Sequence, residues 1–446
     1  MSWLGQTHWR ILVALGLGLV WGVVATFVGL SGFTRDWITP FGTIFLRLLL
    51  LIAVPLVLAS LVTGVASLAN LQKLSRIGGK TIAIYLGTTL IALVIGLVVV
   101  NVVEPGASIP ESLRLSLQEE YQGDVEQRQE TADQMERGPL QPLVDMVPDN
   151  IFNAASNNRA MLSVVFTALL LGVALMLLPR EQAQPLLSLF ESVNAAIIKI
   201  VELILIVAPV GVFSLIAGTI TSVAGDNPAD VAQLLGALGL YCVCVLVGLA
   251  IHAFLTYPIL LRTLTPITPF RFLRGAAPAQ LVAFSTSSSA ATLPVSMETA
   301  EHNLGVSEEV GSFVLPLGAT INMDGTAVYM SVAAVFIAQT LGIPLDLAAQ
   351  ATIVFTAMLA SIGTAAVPSA GIVMLVIVLE AIGVPVAGIA LIFGVDRILD
   401  MCRTMTNVTG DITVSAVVAA SEGQLTATSM NGLSGAAAGA AAGSGS

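Results

Sequence analysis

From Ile11 to Leu30 the chain runs twenty residues without a charge, and from Thr81 to Val103 it runs twenty-three. A helix needs roughly 20 apolar residues to span a bilayer, and no water is present there to satisfy exposed backbone groups. Runs of this kind recur along the chain, with only 10% charged residues and 56% hydrophobic. Soluble domains carry about 25% charged residues, so the composition describes an integral membrane protein surrounded by lipid. The short alternating segments of a β-barrel are absent from the sequence, and an all-α fold is expected. The first run is too long for a cleaved signal peptide and lacks its small-residue cleavage site.

Charge places the loops. Lys73, Arg76 and Lys80 follow the second apolar run, and Arg262, Arg271 and Arg274 follow the sixth. With both basic loops in the cytoplasm the N-terminus lies inside. A stretch between Glu104 and Asp149, eleven acids against three arginines, then lies outside. The six spans expected before Arg274 are about 11–30, 41–71, 81–103, 142–178, 187–223 and 232–260. The net charge of −11 resides mostly in that acidic loop, and no nucleic-acid role is indicated. Cys242, Cys244 and Cys402 form no disulfide or metal pattern, and the three histidines are scattered. No phosphate-binding glycine loop occurs, and no His or Cys is placed to activate the many hydroxyls, so an enzyme is not expected.

After Arg274 the regularity fails. Residues 276–297 hold seven hydroxyls and Pro294, and residues 351–379 hold the run from Ser361 to Gly371 with Pro368. Two readings stand: re-entrant hairpins whose freed backbone lines a cavity, or Ser-rich helices packed through small residues. Between them, Gly318 to Thr326 reads GATINMDGT. Asn322, Asp324 and Gly325 are poor helix formers at mid-span, and an unwound turn there would offer carbonyl oxygens beside a carboxylate to a hard cation.

The last apolar segment carries DRILDMCRTMTNVTGD, from Asp396 to Asp411. At about 100° per residue, Asp400, Arg403, Thr404, Asn407 and Asp411 fall within roughly a third of the helix circumference, with Asp396 and Arg397 at its edges. Ionisable groups at membrane depth are unfavourable by several kcal/mol unless they face partners or a wet cavity, so this stripe is a candidate site. Asp324, Asp400 and Asp411 outweigh Arg403 and Arg397, and a bound acidic amino acid would add a further negative charge. Neutralising such a site calls for about two or three monovalent cations loaded with the substrate.

SSSAATLP, GATINMDGTA, SIGTAAVPSAG and DRILDMCRTMTNVTGD, in this order, resemble the dicarboxylate/amino acid:cation symporter family. That family includes archaeal sodium-coupled aspartate transporters, bacterial glutamate carriers and animal excitatory amino acid transporters. The resemblance implies eight transmembrane helices, two re-entrant hairpins, a homotrimer, and a transport domain that slides past a static scaffold like an elevator. The corresponding division is 1–78 (scaffold helices 1–2), 79–104 (transport helix 3), 105–141 (acidic external loop), 142–225 (scaffold helices 4–5), 226–424 (transport domain) and 425–446 (low-complexity tail). Both termini are cytoplasmic on this pattern.

It implies symport of L-aspartate and/or L-glutamate with Na+, with a C4-dicarboxylate or proton-coupled glutamate symporter as the alternative. Arg403 would pair with the substrate side-chain carboxylate, beside Thr326, Val367 and Gly371. Asp400 would hold the ammonium group, and Asn407 and Ser289 the α-carboxylate, with Ser288 and Thr404 adjacent. One Na+ would use Asp411 with backbone at Gly318, Asn322 and Asn407. A second would use backbone at Thr320, Ser361, Ile362 and Thr364. A third would use Asp324 and Asn322 with Tyr85, Thr88 and Thr89. Ser287 stands where archaeal members have an arginine, and Met401 where animal members have one, which leaves Arg397 to supply the missing charge. Met330 stands where proton-coupled animal members carry a glutamate. Ala366 and Ser369 replace glycines in the second hairpin.

Overall fold

The computed structural model describes residues 7–67, 75–107, 109, 115, 147–156, 161–224, 228–362, 364, 366 and 368–426. Among these there is no strand, only an isolated antiparallel bridge between Val306 and Leu425. The longer helices are α1 (Thr7–Val28), α2 (Thr39–Ser67), α3 (Ser75–Val103), α4 (Met161–Leu177), α5 (Arg180–Ala224) and α6 (Pro228–Ile251). They continue as α7 (Tyr257–Leu264), α8 (Pro269–Thr286), α9 (Ser289–Glu298), α10 (Glu308–Ile321), α11 (Asp324–Thr340), α12 (Leu347–Ile362), α13 (Ala370–Ala381) and α14 (Ile389–Ser421). Among the described residues, four apolar stretches are long enough to cross a membrane: Arg76–Val103, Arg180–Val201, Leu235–Leu264 and Glu308–Thr340.

Packing sorts the helices. α1, α2, α4 and α5 pack chiefly on one another, with α5 against both α1 and α2. α14 lies against α8, α10 and α11, while α11 also packs on α3. Every residue of α11 except Gln339 is buried, as expected of a helix apolar on all sides. At its start the chain unwinds: Asn322 (φ −92°, ψ 92°) and Met323 (φ −116°, ψ 49°) separate α10 from α11. Asn322 and Gly325, poor helix formers on either side of Met323, explain why it falls there.

α8–α9 and α12–α13 form two helix–turn–helix hairpins. Each tip contains a serine in the left-handed region, Ser287 at φ 52° and Ser369 at φ 62°. The tips meet, since Ser288 Oγ donates to the Ala366 carbonyl at 2.7 Å.

Two boundaries differ from expectation. α5 begins at Arg180 rather than near residue 187, because hydropathy marks the apolar run and not the exposed helical turns before it. Leu425, expected in the tail, joins the fold by bridging Val306, and Thr426 N donates to the Gly305 carbonyl at 2.8 Å. Lys73, most of the acidic loop and residues 427–446 lie outside the described residues.

Candidate functional site

The stripe on α14 faces inward. Asp396, Asp400, Arg403, Thr404, Asn407 and Asp411 are all buried. Arg403 Nη2 donates to Asp400 Oδ1 at 2.7 Å and lies 3.2 Å from Asp396 Oδ1. Its guanidinium carbon sits 3.8 Å from the centroid of the Tyr329 ring. Asp400 Oδ2 also accepts from the Ser369 amide at 3.0 Å and from Arg397 Nη1 at 3.4 Å. Asp400 therefore ties α14 to the tip of the second hairpin.

In front of this network is a small cavity with mostly polar walls. Ser287 and Ser289 line it from the first hairpin, and Thr364, Ala366, Ala370 and Gly371 from the second. Met323 and Thr326 contribute from the break before α11, and Asp400, Thr404 and Asn407 from α14. Six residues expected at a substrate site thus share one cavity: Ser289, Thr326, Gly371, Asp400, Thr404 and Asn407. Ser288 does not line it, because its hydroxyl is committed to Ala366. Arg403 stands just behind the wall: a Cβ added at Gly371 would lie 3.0 Å from its Nη1 and crowd the guanidinium. Val367 lies outside the described residues.

The expected cation ligands fall into three neighbouring groups. In the first, Asn322 Nδ2 donates to Asp411 Oδ1 at 2.9 Å, and Gly318 abuts the Asp411 carboxylate and the Tyr85 hydroxyl. Asn407 belongs both here and to the cavity, since its carbonyl accepts from Asn322 Nδ2 at 3.5 Å while the residue also lines the cavity. In the second, Ile362 packs with Leu317 and Ile321, bringing the end of α12 to the turn of α10 that holds Thr320. Ser361 and Thr364 are buried there. In the third, Thr89 Oγ1 donates to Asp324 Oδ1 at 2.6 Å, while Thr88 and Tyr85 lie on the same buried face of α3.

All three groups offer oxygen donors alone, which suits a hard monovalent cation. The amide oxygen of Asn322 and the hydroxyl of Ser361 are buried without a partner among the described residues. Buried acceptors left over in this way are what a cation would satisfy.

Reasoning from sequence missed four participants. Asp396, which the sequence places only at the edge of the stripe, is 2% exposed and paired with Arg403. Its spacing could have revealed it, since seven residues return to within about 20° on a helix. The site therefore holds four buried carboxylates, Asp324 included, against Arg403 and the nearly buried Arg397. Tyr329, His252 and Tyr257 carry no sequence signal, because their roles depend on contacts between helices.

Buried charge around an oxygen-lined cavity, closed by two hairpins within an apolar helical bundle, defines a membrane transporter for a charged solute. A family description, the sodium:dicarboxylate symporter family, matches residues 7–421. The chain belongs to this family, whose members are transporters and not enzymes. It is 35% identical over 416 residues to the proton/sodium-glutamate symport protein of Bacillus subtilis (strain 168), covering 93% of this chain and 92% of that one. It is 34% identical over 418 residues to the proton/glutamate-aspartate symporter of Escherichia coli (strain K12), covering 92% of each. It is 35% identical over 455 residues to excitatory amino acid transporter 3 of Mus musculus, covering 93% of this chain and 85% of that one.

Proposed function

We propose that this chain imports L-aspartate and/or L-glutamate together with two or three Na+. The observation that carries this reading is the buried Arg403–Asp400 pair at the wall of the cavity. A guanidinium matches a carboxylate in bidentate geometry, and a carboxylate beside it matches an ammonium group. An acidic amino acid carries both complements, whereas a C4-dicarboxylate offers nothing to Asp400. The glutamate and aspartate named for the similar proteins agree with this chemistry.

Arg403 would hold the side-chain carboxylate with Thr326, Gly371 and Val367, and Asp400 the ammonium. Asn407 and Ser289 would hold the α-carboxylate beside Ser288 and Thr404. Arg397 would contribute the charge that Ser287 and Met401 do not. The three oxygen groups would take Na+, lowering the negative charge that four aspartates leave in a low-dielectric interior. Entry of each net positive charge is driven by about 2.3 kcal/mol per 100 mV of membrane potential. Met330, buried among apolar side chains, offers no proton-carrying group.

The chain would cross the membrane eight times with both termini cytoplasmic, its two hairpins being re-entrant. α1, α2, α4 and α5 would form a trimeric scaffold past which the remaining helices move as an elevator. Their mutual packing supports this division.

The test is uptake of radiolabelled L-aspartate into proteoliposomes under an inward Na+ gradient at constant pH. Concentrative uptake that is lost when choline replaces Na+ supports the reading. Uptake that requires a proton gradient instead, or that succinate abolishes by competition while L-glutamate does not, overturns it.

A further inference from the structure

Asp324 has two oxygens in different circumstances. Oδ1 faces α3, where the Thr89 hydroxyl meets it at 2.6 Å. Oδ2 points the other way and is held by the Tyr257 hydroxyl at 2.9 Å and by His252 Nε2 at 3.1 Å. Both His252 and Tyr257 are fully buried.

The backbone is specialised to bring these two together. Between α6 and α7, residues His252–Thr256 form a π-helical turn. On an α-helix, side chains five residues apart diverge by about 140°. The wider turn swings Tyr257 back toward His252, and their rings meet edge to face with centroids 4.6 Å apart. Single π turns inside helices occur frequently at functional positions.

The histidine is costly unless it has a polar task. An ionised carboxylate only accepts hydrogen bonds, so Nε2 must carry the proton that lies toward Asp324. Nδ1 is buried without a partner among the described residues. Leaving a buried nitrogen unsatisfied is unfavourable, and an apolar residue of similar size would avoid it if packing were the only need.

We propose that His252 and Tyr257 are positioning residues for cation binding at Asp324. Together they pin Oδ2, so that Oδ1 is presented to Na+ in one orientation as a monodentate ligand beside Thr89. The carboxylate then need not swing or trade partners when the ion arrives. The proposal rests on the reading of Asp324 as a sodium ligand.

The experiment titrates the purified full-length protein with Na+, without amino acid, and follows the thermal unfolding midpoint. L-aspartate affinity is then measured at saturating Na+. Tyr257→Phe and His252→Leu are expected to raise the Na+ concentration for half-maximal stabilisation about tenfold, the lower range for groups that orient a metal ligand. L-aspartate affinity at saturating Na+ should stay within about threefold, since the substrate cavity is untouched. His252→Gln, which keeps a donor, should restore most of the Na+ response. Tyr257→Phe removes one oxygen and no bulk, so it reports even if His252→Leu does not fold.

Asp324→Asn is measured alongside. If it shifts the Na+ response while Tyr257→Phe and His252→Leu do not, the positioning role is overturned and the sodium-site reading stands. If Asp324→Asn also leaves the response unmoved, both are overturned. If His252→Gln is as impaired as His252→Leu, the histidine acts through shape and its part in the proposal fails.

Discussion

Asp400 and Arg403, one helical turn apart on α14, are joined at 2.7 Å with both side chains buried. Such a pair neutralises itself while the cavity in front is free of substrate. It also places opposite charges where an amino acid needs them.

Removing one partner of a buried ion pair leaves the other uncompensated, at a cost of about 3–5 kcal/mol. Arg403→Ala leaves Asp396 without its cation and Asp400 with Arg397 alone, so it should abolish L-aspartate uptake and lower the unfolding midpoint. Arg403→Lys keeps the charge but loses the fork, and should be the milder variant in both assays. Isothermal binding and thermal unfolding on the same samples check the pair of outcomes.

Arg397 approaches Asp400 at 3.4 Å from a neighbouring face of the same helix. If it supplies the compensating charge, Arg397→Ala should weaken L-aspartate binding by about 1.5–3 kcal/mol, the range for hydrogen bonds to charged groups. Equal affinity and turnover in wild type and variant would remove Arg397 from the site.

Gly318 lies against the Tyr85 hydroxyl and the Asp411 carboxylate so closely that a Cβ has no room. Gly318→Ala should push Asp411 from its place and raise the Na+ concentration needed for uptake by about tenfold or more. The readout is Na+-dependent uptake at fixed L-aspartate. An unchanged Na+ dependence would show that this carboxylate is not a ligand.

Ser287 turns the first hairpin at φ 52°, where a side chain with a branched Cβ is strained. Ser287→Val should destabilise the protein by about 1–3 kcal/mol, and Ser287→Gly should not. Comparison of thermal unfolding midpoints decides this.

At the end of α14, Glu422 accepts from Lys80 Nζ at 2.6 Å and pairs with Arg76 on α3. Lys80 first, then Arg76, hold its carboxyl below the ordinary value of 4.5. A depressed folded value means that the stabilisation is present above the unfolded value and is lost as pH falls through the folded one. The clamp should thus hold near neutral pH and fail below the ordinary carboxylate range. Acid unfolding curves of wild type and Glu422→Gln should differ above pH 4.5 and converge as pH falls below it.

The polar stripe was legible in sequence because helical spacing carries it: Asp400, Arg403, Thr404, Asn407 and Asp411 share a face by arithmetic alone. The break at Asn322 was legible because local propensity puts it there. Asp396 was legible in principle, lying seven residues before Arg403, but edge positions on a wheel do not reveal whether a neighbouring helix covers them. Sequence alone puts Ser288 at the substrate site, and the approach of the second hairpin turns its hydroxyl to Ala366 instead.

The sequence by itself determined that the chain lives in a membrane, where its helices break and which face of α14 bears charge. These follow from hydropathy, propensity and periodicity, which are local. Only the tertiary structure decided that Ser369 caps Asp400, that Tyr329 underlies Arg403 and that His252 and Tyr257 grip Asp324. Those contacts join residues from 31 to 74 positions apart, across helices or through a hairpin. A buried charge is stable only with partners, and no local pattern can say which distant side chains the packing will deliver.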